Sequence, residues 1–162
     1  MFITAKNFGG YWVKGVKKFK GHEQEPLFQC TVYKDKKKIG IFSEDSWGGP
    51  AALNCPKNAD REALCAYAKK HEGEEAWSES FQTFIGEIVW EIERLSRYKK
   101  LCKTKLVFRF ARHDRNTYRS IPLNKIKDLN KTKDISWEKV RITLEKKTGE
   151  KITIVNAELE KL

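Results

Sequence analysis

Two turn-like segments of the sequence place a histidine beside a carboxylate. His22 and Glu23 come shortly before Pro26, and His113 and Asp114 separate two segments of alternating polarity. A histidine next to a carboxylate can act as a general base or bind a metal ion. If the two turns met in space, they would suit a small His-dependent hydrolase or nuclease. These residue types are also common in ordinary turns, so the sequence favours a non-enzymatic protein without a metal or cofactor.

A glycine-rich loop, residues 45–50 (DSWGGP), is a second candidate site. Glycine amides can bind an anion, and an exposed Trp47 could stack on a base or anchor a protein partner. The loop lacks the lysine and the following helix of a phosphate-binding P-loop. Trp47, Gly48 and Gly49 are therefore candidate partner-binding residues. The alternative is that Trp47 folds back over the sheet.

A third group of candidates is basic. One predicted hairpin combines Tyr118 with several arginines, a combination that suits phosphate contacts and base stacking. These arginines are Arg109, Arg112, Arg115 and Arg119. Arg109 and Arg119 are expected to be cross-strand neighbours. Facing like charges destabilise a hairpin unless an acidic partner or the glutamates of a neighbouring helix neutralise them.

Lysines of an earlier segment could extend the same basic surface. Residues 12–20 alternate loosely, with Val16 and Phe19 opposed to a lysine-rich face, and residues 34–38 form a lysine-rich turn. The lysines of the first segment are Lys14, Lys17, Lys18 and Lys20. Lysines at these positions fit a nucleic-acid interface, and they equally fit an exposed sheet edge that avoids pairing with other chains.

The composition indicates one folded domain over residues 1–162. Hydrophobic residues make up 40 % and aromatic residues 12 % of the chain, which is enough for a core and argues against disorder. The formal net charge of +11 predicts attraction to polyanions such as nucleic acid, an acidic protein face or an anionic membrane. The alternative is a lysine-rich, solvated surface without a specific ligand.

Targeting signals and cysteine patterns indicate a location. No signal region begins the chain, and no apolar run approaches the roughly 20 residues of a membrane span. The cysteines, which lack CxxC and zinc-like spacings, are Cys30, Cys55, Cys65 and Cys102. We expect a protein of the bacterial cytoplasm, without membrane contact and with reduced thiols. Cys30 and Cys65 are expected to be buried as small apolar side chains.

Alternation predicts two hairpins that would position these candidates. Residues 26–33 form the first strand of one hairpin. Its two faces are Phe28, Cys30, Val32 on one side and Gln29, Thr31, Tyr33 on the other. Ile39 and Ile41 are expected to share one side of the return strand. Short strands are also expected at residues 2–5 and 51–54.

The second hairpin comprises residues 106–111 and 117–121. Leu106, Phe108 and Phe110 alternate with polar residues, which indicates a half-buried strand. Residues 152–155 are expected to form a last short strand or an extended tail.

Helical periodicity predicts a long amphipathic helix at residues 77–100, with an apolar stripe from Trp77 to Leu95 that Trp90 broadens. Shorter helices are predicted at residues 59–71 and 137–147. Their N-caps and C-terminal glycines are Asn58 with Gly73, and Ser136 with Gly149. The element order predicts an α+β fold, in which antiparallel β-hairpins pack against a long amphipathic helix and one or two shorter helices.

Two runs of the sequence resemble small proteins of phages and other mobile elements. Residues 20–50, KGHEQEPLFQCTVYKDKKKIGIFSEDSWGGP, are similar to their Lys-Gly-His-Glu turn, hairpin and Gly-Gly-Pro loop, with Lys36 in place of the turn glycine. Residues 103–121, KTKLVFRFARHDRNTYRSI, are similar to their Arg-rich second hairpin. The resemblance implies an accessory protein that counters host defence or takes over a host complex, and it carries over no functional residues.

These patterns favour a non-enzymatic basic protein that binds nucleic acid or a nucleoprotein complex. The arginines of the second hairpin and the lysines of residues 14–20 would contact phosphates, with Trp47 as an anchor. One alternative is a protein–protein inhibitor of a host enzyme that acts through the Trp47 loop. The other is the hydrolase or nuclease built on His22 and His113.

Overall fold

The computed structural model describes residues 4–73, 80–112, 117–126 and 136–162. The chain divides into two compact units, an N-terminal unit of residues 4–92 and a C-terminal unit of residues 93–162. The single domain expected over residues 1–162 stays a prediction. Each unit combines helices with antiparallel strands, so the predicted α+β fold is confirmed.

An antiparallel four-stranded sheet forms the N-terminal unit, with its strands in chain order. They are β1 (Tyr11–Lys20), β2 (Pro26–Lys34), β3 (Lys37–Ser43) and β4 (Ala52–Asn54). The hairpin and the strands expected on either side of it are therefore confirmed. A 3-10 helix, Ala5–Phe8, precedes β1. The strand expected at residues 2–5 is wrong at Ala5, and residues 2 and 3 lie outside the described residues.

Two helices cover one face of this sheet. Helix α1 (Asn58–Glu72) ends at Gly73, and helix α2 (Ser80–Cys102) continues from this unit into the next. The buried residues of this core from the helices and the sheet include Leu64, Phe84, Ile85, Ile88, Val13, Val32 and Phe42. Burial of each such side chain contributes about 1.5–3 kcal/mol to folding.

Three details of these helices differ from the expectation. Asn58 is the first residue of α1 rather than its N-cap, and its Nδ2 donates to Glu62 Oε1 at 2.6 Å. Trp90 does not broaden the apolar stripe of α2, because it is 44 % exposed. Trp77, where the stripe was expected to begin, lies outside the described residues.

A β-bulge in β3 changes which isoleucine is buried. Consecutive residues of β2 pair with Gly40 and Lys38, which leaves Ile39 as an extra residue in β3. The bulge turns Ile39 into the core, whereas Ile41 is 44 % exposed and Phe42 is fully buried. The expectation that both isoleucines share one side is therefore wrong.

An antiparallel three-stranded sheet, in the order β6-β5-β7, forms the C-terminal unit. Its elements are β5 (Lys105–Phe110), β6 (Arg119–Pro122), helix α3 (Trp137–Thr148), β7 (Ile152–Ile154) and helix α4 (Val155–Leu159). The second hairpin, the helix that follows Ser136 and the last strand are confirmed. Helix α4 is not predicted by the sequence pattern.

Strand β5 is buried on both faces because it is the central strand of its sheet. Phe108 and Phe110 pack in one cluster with side chains of α3. Val107, on the opposite face, is fully buried against Tyr98 and Val155. The expectation of a half-buried strand is therefore wrong.

The cysteines are reduced and differ in burial. All four cysteines are free thiols. Cys30 is buried, and desolvation together with the nearby Glu44 raises the pKa of its thiol to about 12. Cys65 is only partly buried, so the expected burial is wrong for this residue.

Among the described residues, no helix combines the length and the apolar character needed to cross a membrane.

The turn between β2 and β3 provides a test of backbone strain. Asp35 and Lys36 have positive φ angles of 47° and 72°, as the central residues of a type I′ turn require. A left-handed conformation costs a non-glycine residue about 1 kcal/mol. We expect Lys36→Gly to raise the free energy of unfolding in urea by about this amount. Lys36→Ala removes the same charge and keeps the strain, so an equal gain in this variant would contradict the explanation.

Candidate functional site

A bulge in β1 determines the direction of its lysines. Gly15 has a positive φ of 62°, and the register with β2 shifts between Lys14 and Lys17. Lys14 pairs with Thr31, and Lys17 pairs with Gln29. Both partners lie on the side of β2 that faces away from the core, which we call the outer face of the sheet. Lys14 and Lys17 therefore lie together on this outer face.

The same bulge divides the lysines of β1 between the two sides of the strand. Lys18 pairs with Phe28, whose side chain packs against the core, so Lys18 does not share the outer face with Lys17. Lys20 lies two residues after Lys18 and therefore on the same side of the strand. Its Nζ donates to Gln24 Oε1 at 3.2 Å. The expectation of one lysine-rich face in this strand is therefore wrong for half of the set.

The outer face combines lysines with aromatic and polar side chains. The Nζ atom of Lys14 lies 5.2 Å from the ring centroid of Tyr33, and Lys38 pairs with Tyr33 from the neighbouring strand. The other strand residues on this face are Lys17, Phe19, Leu27, Gln29, Thr31, Ile41, Ser43, Ala52 and Asn54. Trp12 pairs with Tyr33 but also packs against the core, with its ring centroid 6.2 Å from that of Phe8. None of these residues is acidic, so the charge of the three lysines is not neutralised within the face.

The exposure of these side chains shows that solvent reaches the face. Lys14, Lys17 and Lys38 are all exposed, and Tyr33 is partly exposed. Within the part of the chain that the structure describes, none of the three lysines forms an ion pair. The face therefore presents available cations beside an accessible aromatic ring.

Two lysines of the β2–β3 turn have structural contacts instead. The Nζ atom of Lys34 donates to the carbonyl of Gly9 and lies 3.4 Å from Asp35. The Nζ atom of Lys37 lies 3.8 Å from the carboxylate of Asp60. These two lysines hold the turn against neighbouring segments, so the basic surface does not include the whole turn.

The loop after β3 presents Trp47 to solvent. Trp47 is 78 % exposed, and its ring stacks on the ring of His22 with the centroids 4.9 Å apart and the planes at 29°. The backbone N–H of His22 donates to the carbonyl of Ser46 at 2.7 Å. The two loops brace each other, and the alternative in which Trp47 folds back over the sheet is wrong.

Asp45 organises the glycine-rich loop. Its Oδ1 accepts a hydrogen bond from the N–H of Trp47 at 2.9 Å. Gly48 has a positive φ of 79°, and a Cβ at Gly49 would overlap the Asp45 carboxylate. The backbone conformation thus accounts for Gly48, and the proximity of the Asp45 carboxylate accounts for Gly49. Because a carboxylate occupies the position from which an anion would approach these amides, electrostatic repulsion disfavours phosphate binding there.

Two of the four candidate arginines are paired with glutamates. Arg109 is 12 % exposed, and its Nη2 lies 3.0 Å from Glu158 Oε2 of α4. The Nε of Arg112 lies 2.9 Å from Glu150 Oε2, just before β7. Both pairs hold β5 and the residues that follow it to the C-terminal segment. Their expected role in nucleic-acid binding stays a prediction.

Arg119 lies on a different face of the sheet from Arg109. Arg119 pairs with Phe108, and its guanidinium lies 5.5 Å from the ring centroid of Phe110. Since Phe108 and Arg109 are consecutive in β5, their side chains point to opposite faces. The expectation that Arg109 and Arg119 face each other is therefore wrong, and no acidic partner is needed to separate them.

Only one of the two proposed catalytic turns lies within the described residues. His22 and Glu23 are exposed in the turn between β1 and β2, where the His22 ring contacts Trp47. His113 and Asp114 lie outside the described residues, as does Arg115. In the ranges that the structure describes, no group of three or more His, Cys, Asp or Glu side chains could hold a metal ion.

Tyr33 is a member of the outer face that the sequence pattern does not mark as a site residue. The alternation of β2 already places it on the side of Gln29 and Thr31. Its proximity to Lys14 depends on the register between β1 and β2, and the bulge at Gly15 brings Lys17 to the same face. A glycine inside an alternating strand is the one sequence signal for such a bulge.

Comparison of the chain with protein-family models, with curated proteins and with solved structures found no match. The resemblance to proteins of phages and mobile elements therefore stays a prediction.

Proposed function

We propose that this protein is a non-enzymatic nucleic-acid-binding protein whose interface is the outer face of the four-stranded sheet. One observation carries the proposal: Lys14, Lys17 and Lys38 lie together on this face, and no carboxylate lies among its strand residues. Of the two histidines of the alternative hydrolase or nuclease, His22 stacks on Trp47, and His113 lies outside the described residues.

Electrostatics gives the lysine cluster its affinity for a polyanion. Each phosphate that a lysine neutralises releases condensed counterions. The resulting gain in ion entropy favours the binding of a nucleic acid to a cluster of lysines. The long, flexible lysine side chains reach phosphates without a shaped groove. The net charge of +11 adds long-range attraction to the same class of ligand.

The arginines of the second hairpin contribute less to this proposal. Arg109 is largely buried against Glu158, and Arg112 is paired with Glu150. Removing Arg109 from its carboxylate would leave a mostly buried charge without a partner, at a cost of several kcal/mol. The proposed interface therefore excludes Arg109 and is centred on the lysines of the N-terminal unit.

The biological setting of the proposal comes from the resemblance of residues 20–50 and 103–121. A basic accessory protein of a phage or mobile element, present in the bacterial cytoplasm, would use such a face to bind a nucleic acid or a nucleoprotein complex of its host. Interference with host defence is one role that this binding would serve.

Removal of the three outer lysines tests the proposal. We expect Lys14→Gln, Lys17→Gln and Lys38→Gln, combined in one protein, to weaken binding to a labelled oligonucleotide by about 100-fold at ~0.1 M salt. The slope of log affinity against log salt should become shallower by about 2, because three phosphate contacts are lost. Fluorescence anisotropy over a series of salt concentrations measures both quantities.

A matched variant distinguishes this face from general charge. Lys69, Lys70 and Lys147 are exposed lysines of α1 and α3, and their replacement by glutamine removes the same net charge. This variant should lose less than about threefold in affinity, as long-range attraction alone predicts. Equal losses in the two triple variants, or affinity that does not depend on salt, would overturn the proposed interface.

The Trp47 loop favours a second function, that of a protein–protein inhibitor. A tryptophan that is 78 % exposed and already braced by His22 is a typical anchor of a protein interface. We expect Trp47→Ala to lose at least 2 kcal/mol of binding to any such partner, whereas the triple lysine variant should still bind. A pull-down from a nuclease-treated bacterial lysate with both variants measures this. A partner captured equally by Trp47→Ala would exclude the loop as its anchor.

A further inference from the structure

We propose that the outer face binds single-stranded nucleic acid, with an unpaired base stacked on Tyr33 and the neighbouring phosphates held by Lys14 and Lys17. This inference rests on the proposed function and specifies its ligand. The order of the side chains, the width of the sheet and the polar groups between the lysines each support it.

The sheet is too wide to read a duplex through its grooves. Adjacent strands lie about 4.8 Å apart, so the outer strands of this four-stranded sheet are about 14 Å apart before side chains are counted. The major groove of B-DNA is about 12 Å wide and admits a helix or a two-stranded ribbon. A duplex could therefore touch this face through phosphates only, and Tyr33 would have no role.

Aromatic rings flank the lysines along β1. Tyr33 lies opposite Trp12 near the start of the strand, and Phe19 lies near its end, on the same face. Lys14 and Lys17 occupy the positions between them. The distance from one end of this row to the other is about 20 Å. Rings at both ends with cations between them match the alternation of bases and phosphates in an extended single strand.

The position of Lys14 places a phosphate-binding ammonium group beside the ring on which a base would stack. Its Nζ lies 5.2 Å from the centroid of the Tyr33 ring, so one flexible side chain covers that ring in the free protein. A base that stacks on Tyr33 would take this place, and the ammonium group would move to the adjacent phosphate. The ring and the charge would then bind parts of one nucleotide.

Polar side chains fill the space between the lysines. Thr31 pairs with Lys14 across the strands, and Gln29 pairs with Lys17. A hydroxyl and a carboxamide can each donate and accept hydrogen bonds, which suits the exposed edges of unpaired bases. The face thus offers stacking, charge and hydrogen bonding within one row of residues.

Binding of matched oligonucleotides to the full chain tests the inference. The probes are a labelled 15-nucleotide DNA of mixed sequence, the RNA of the same sequence, and the blunt DNA duplex, all measured by fluorescence anisotropy at the same salt. We expect at least one single strand to bind about tenfold or more tightly than the duplex. Tyr33→Leu should weaken single-strand binding by about tenfold and leave duplex binding unchanged, because the loss of one stacked base has about this effect.

Tyr33→Phe is the control, since it keeps the ring and should retain single-strand affinity within about twofold. Circular dichroism and urea denaturation of both variants show whether the sheet is intact. Duplex binding as tight as single-strand binding, or single-strand binding that Tyr33→Leu leaves unchanged, would overturn this inference. If the triple lysine variant still binds about 100-fold more weakly than the parent, the proposed function stands even though this inference is overturned. If no probe binds, both fall.

Discussion

Replacement of Phe84 by alanine is expected to lower the free energy of unfolding by about 3–5 kcal/mol. The ring is 2 % exposed, and its centroid lies 5.7 Å from that of Phe8 and 5.9 Å from that of Tyr11. Tyr67 and His71 of α1 contact it at 5.5 and 5.2 Å. Alanine would leave a cavity where α1, α2 and β1 meet, and it would remove several edge-to-face contacts. Urea denaturation followed by tryptophan fluorescence measures the change.

The neighbouring residue provides the control for this change. Thr83 is exposed on α2, so Thr83→Ala should alter stability by less than about 0.5 kcal/mol. Hydrogen exchange read by mass spectrometry adds a test of the single-domain prediction. If the chain unfolds as one domain, Phe84→Ala should lower protection in residues 4–92 and 93–162 alike. A Phe84→Ala protein as stable as the parent would contradict the position given to this ring.

Elements with one strong periodicity can be predicted from the sequence. The apolar residues of α2 recur every three or four positions, and those of β2 recur every second position, so helix and strand follow directly. Gly73 and Gly149 mark the ends of α1 and α3, where each adopts a positive φ. These local signals suffice because each depends on neighbours within a few residues in the chain.

The candidate site could be predicted only in part, because register is a long-range property. The sequence supplies the lysines of β1 and the two faces of β2, but it does not supply their pairing. The bulge at Gly15 moves Lys17 to the face of Lys14 and leaves Lys18 on the other side. One extra residue reverses all later side chains of a strand. Grouping these lysines by distance along the chain therefore selects the wrong set.

The arginines illustrate the same limit. Arg109 and Arg119 are close along one hairpin, yet their side chains point to opposite faces because Arg119 pairs with Phe108. The glutamate that neutralises Arg109 comes from α4, 49 residues further along the chain, and no local pattern identifies it. Sequence clustering of one charge type is thus a poor guide to a binding surface unless the strand register is known.

The N-terminal unit separates stability from binding across its sheet. Phe42 and Val32 face α1 and α2 in the core, whereas Lys14, Lys17 and Tyr33 face the opposite way. Changes on the outer face should therefore alter affinity with little effect on folding. Phe84→Ala should lower stability, because this ring lies in the core and not on the outer face. This separation makes the binding variants interpretable, since a loss of affinity without a loss of stability has to arise at the interface.

Asn156 is the residue that the sequence pattern misses most completely. It is buried in α4, directly after β7 ends, and its side chain forms hydrogen bonds with the backbone of β5 where β7 no longer pairs with that strand. Its Oδ1 accepts from the N–H of Val107 at 2.8 Å, and its Nδ2 donates to the carbonyl of Lys105 at 3.0 Å. One carboxamide thus replaces the donor and acceptor of a backbone partner, which only the folded arrangement reveals.

Replacement of Asn156 by alanine is expected to cost about 3–4 kcal/mol of unfolding free energy. It leaves the buried N–H of Val107 and the partly buried carbonyl of Lys105 without this partner, and each unsatisfied buried group costs about 1–3 kcal/mol. Asn156→Asp tests the mechanism, because a carboxylate still accepts from Val107 but repels the carbonyl oxygen of Lys105. Urea denaturation should rank the parent above both variants, and hydrogen exchange should show faster exchange at the Val107 amide in Asn156→Ala than in Asn156→Asp. Equal protection of that amide in all three proteins would mean that the side chain of Asn156 does not pair with β5.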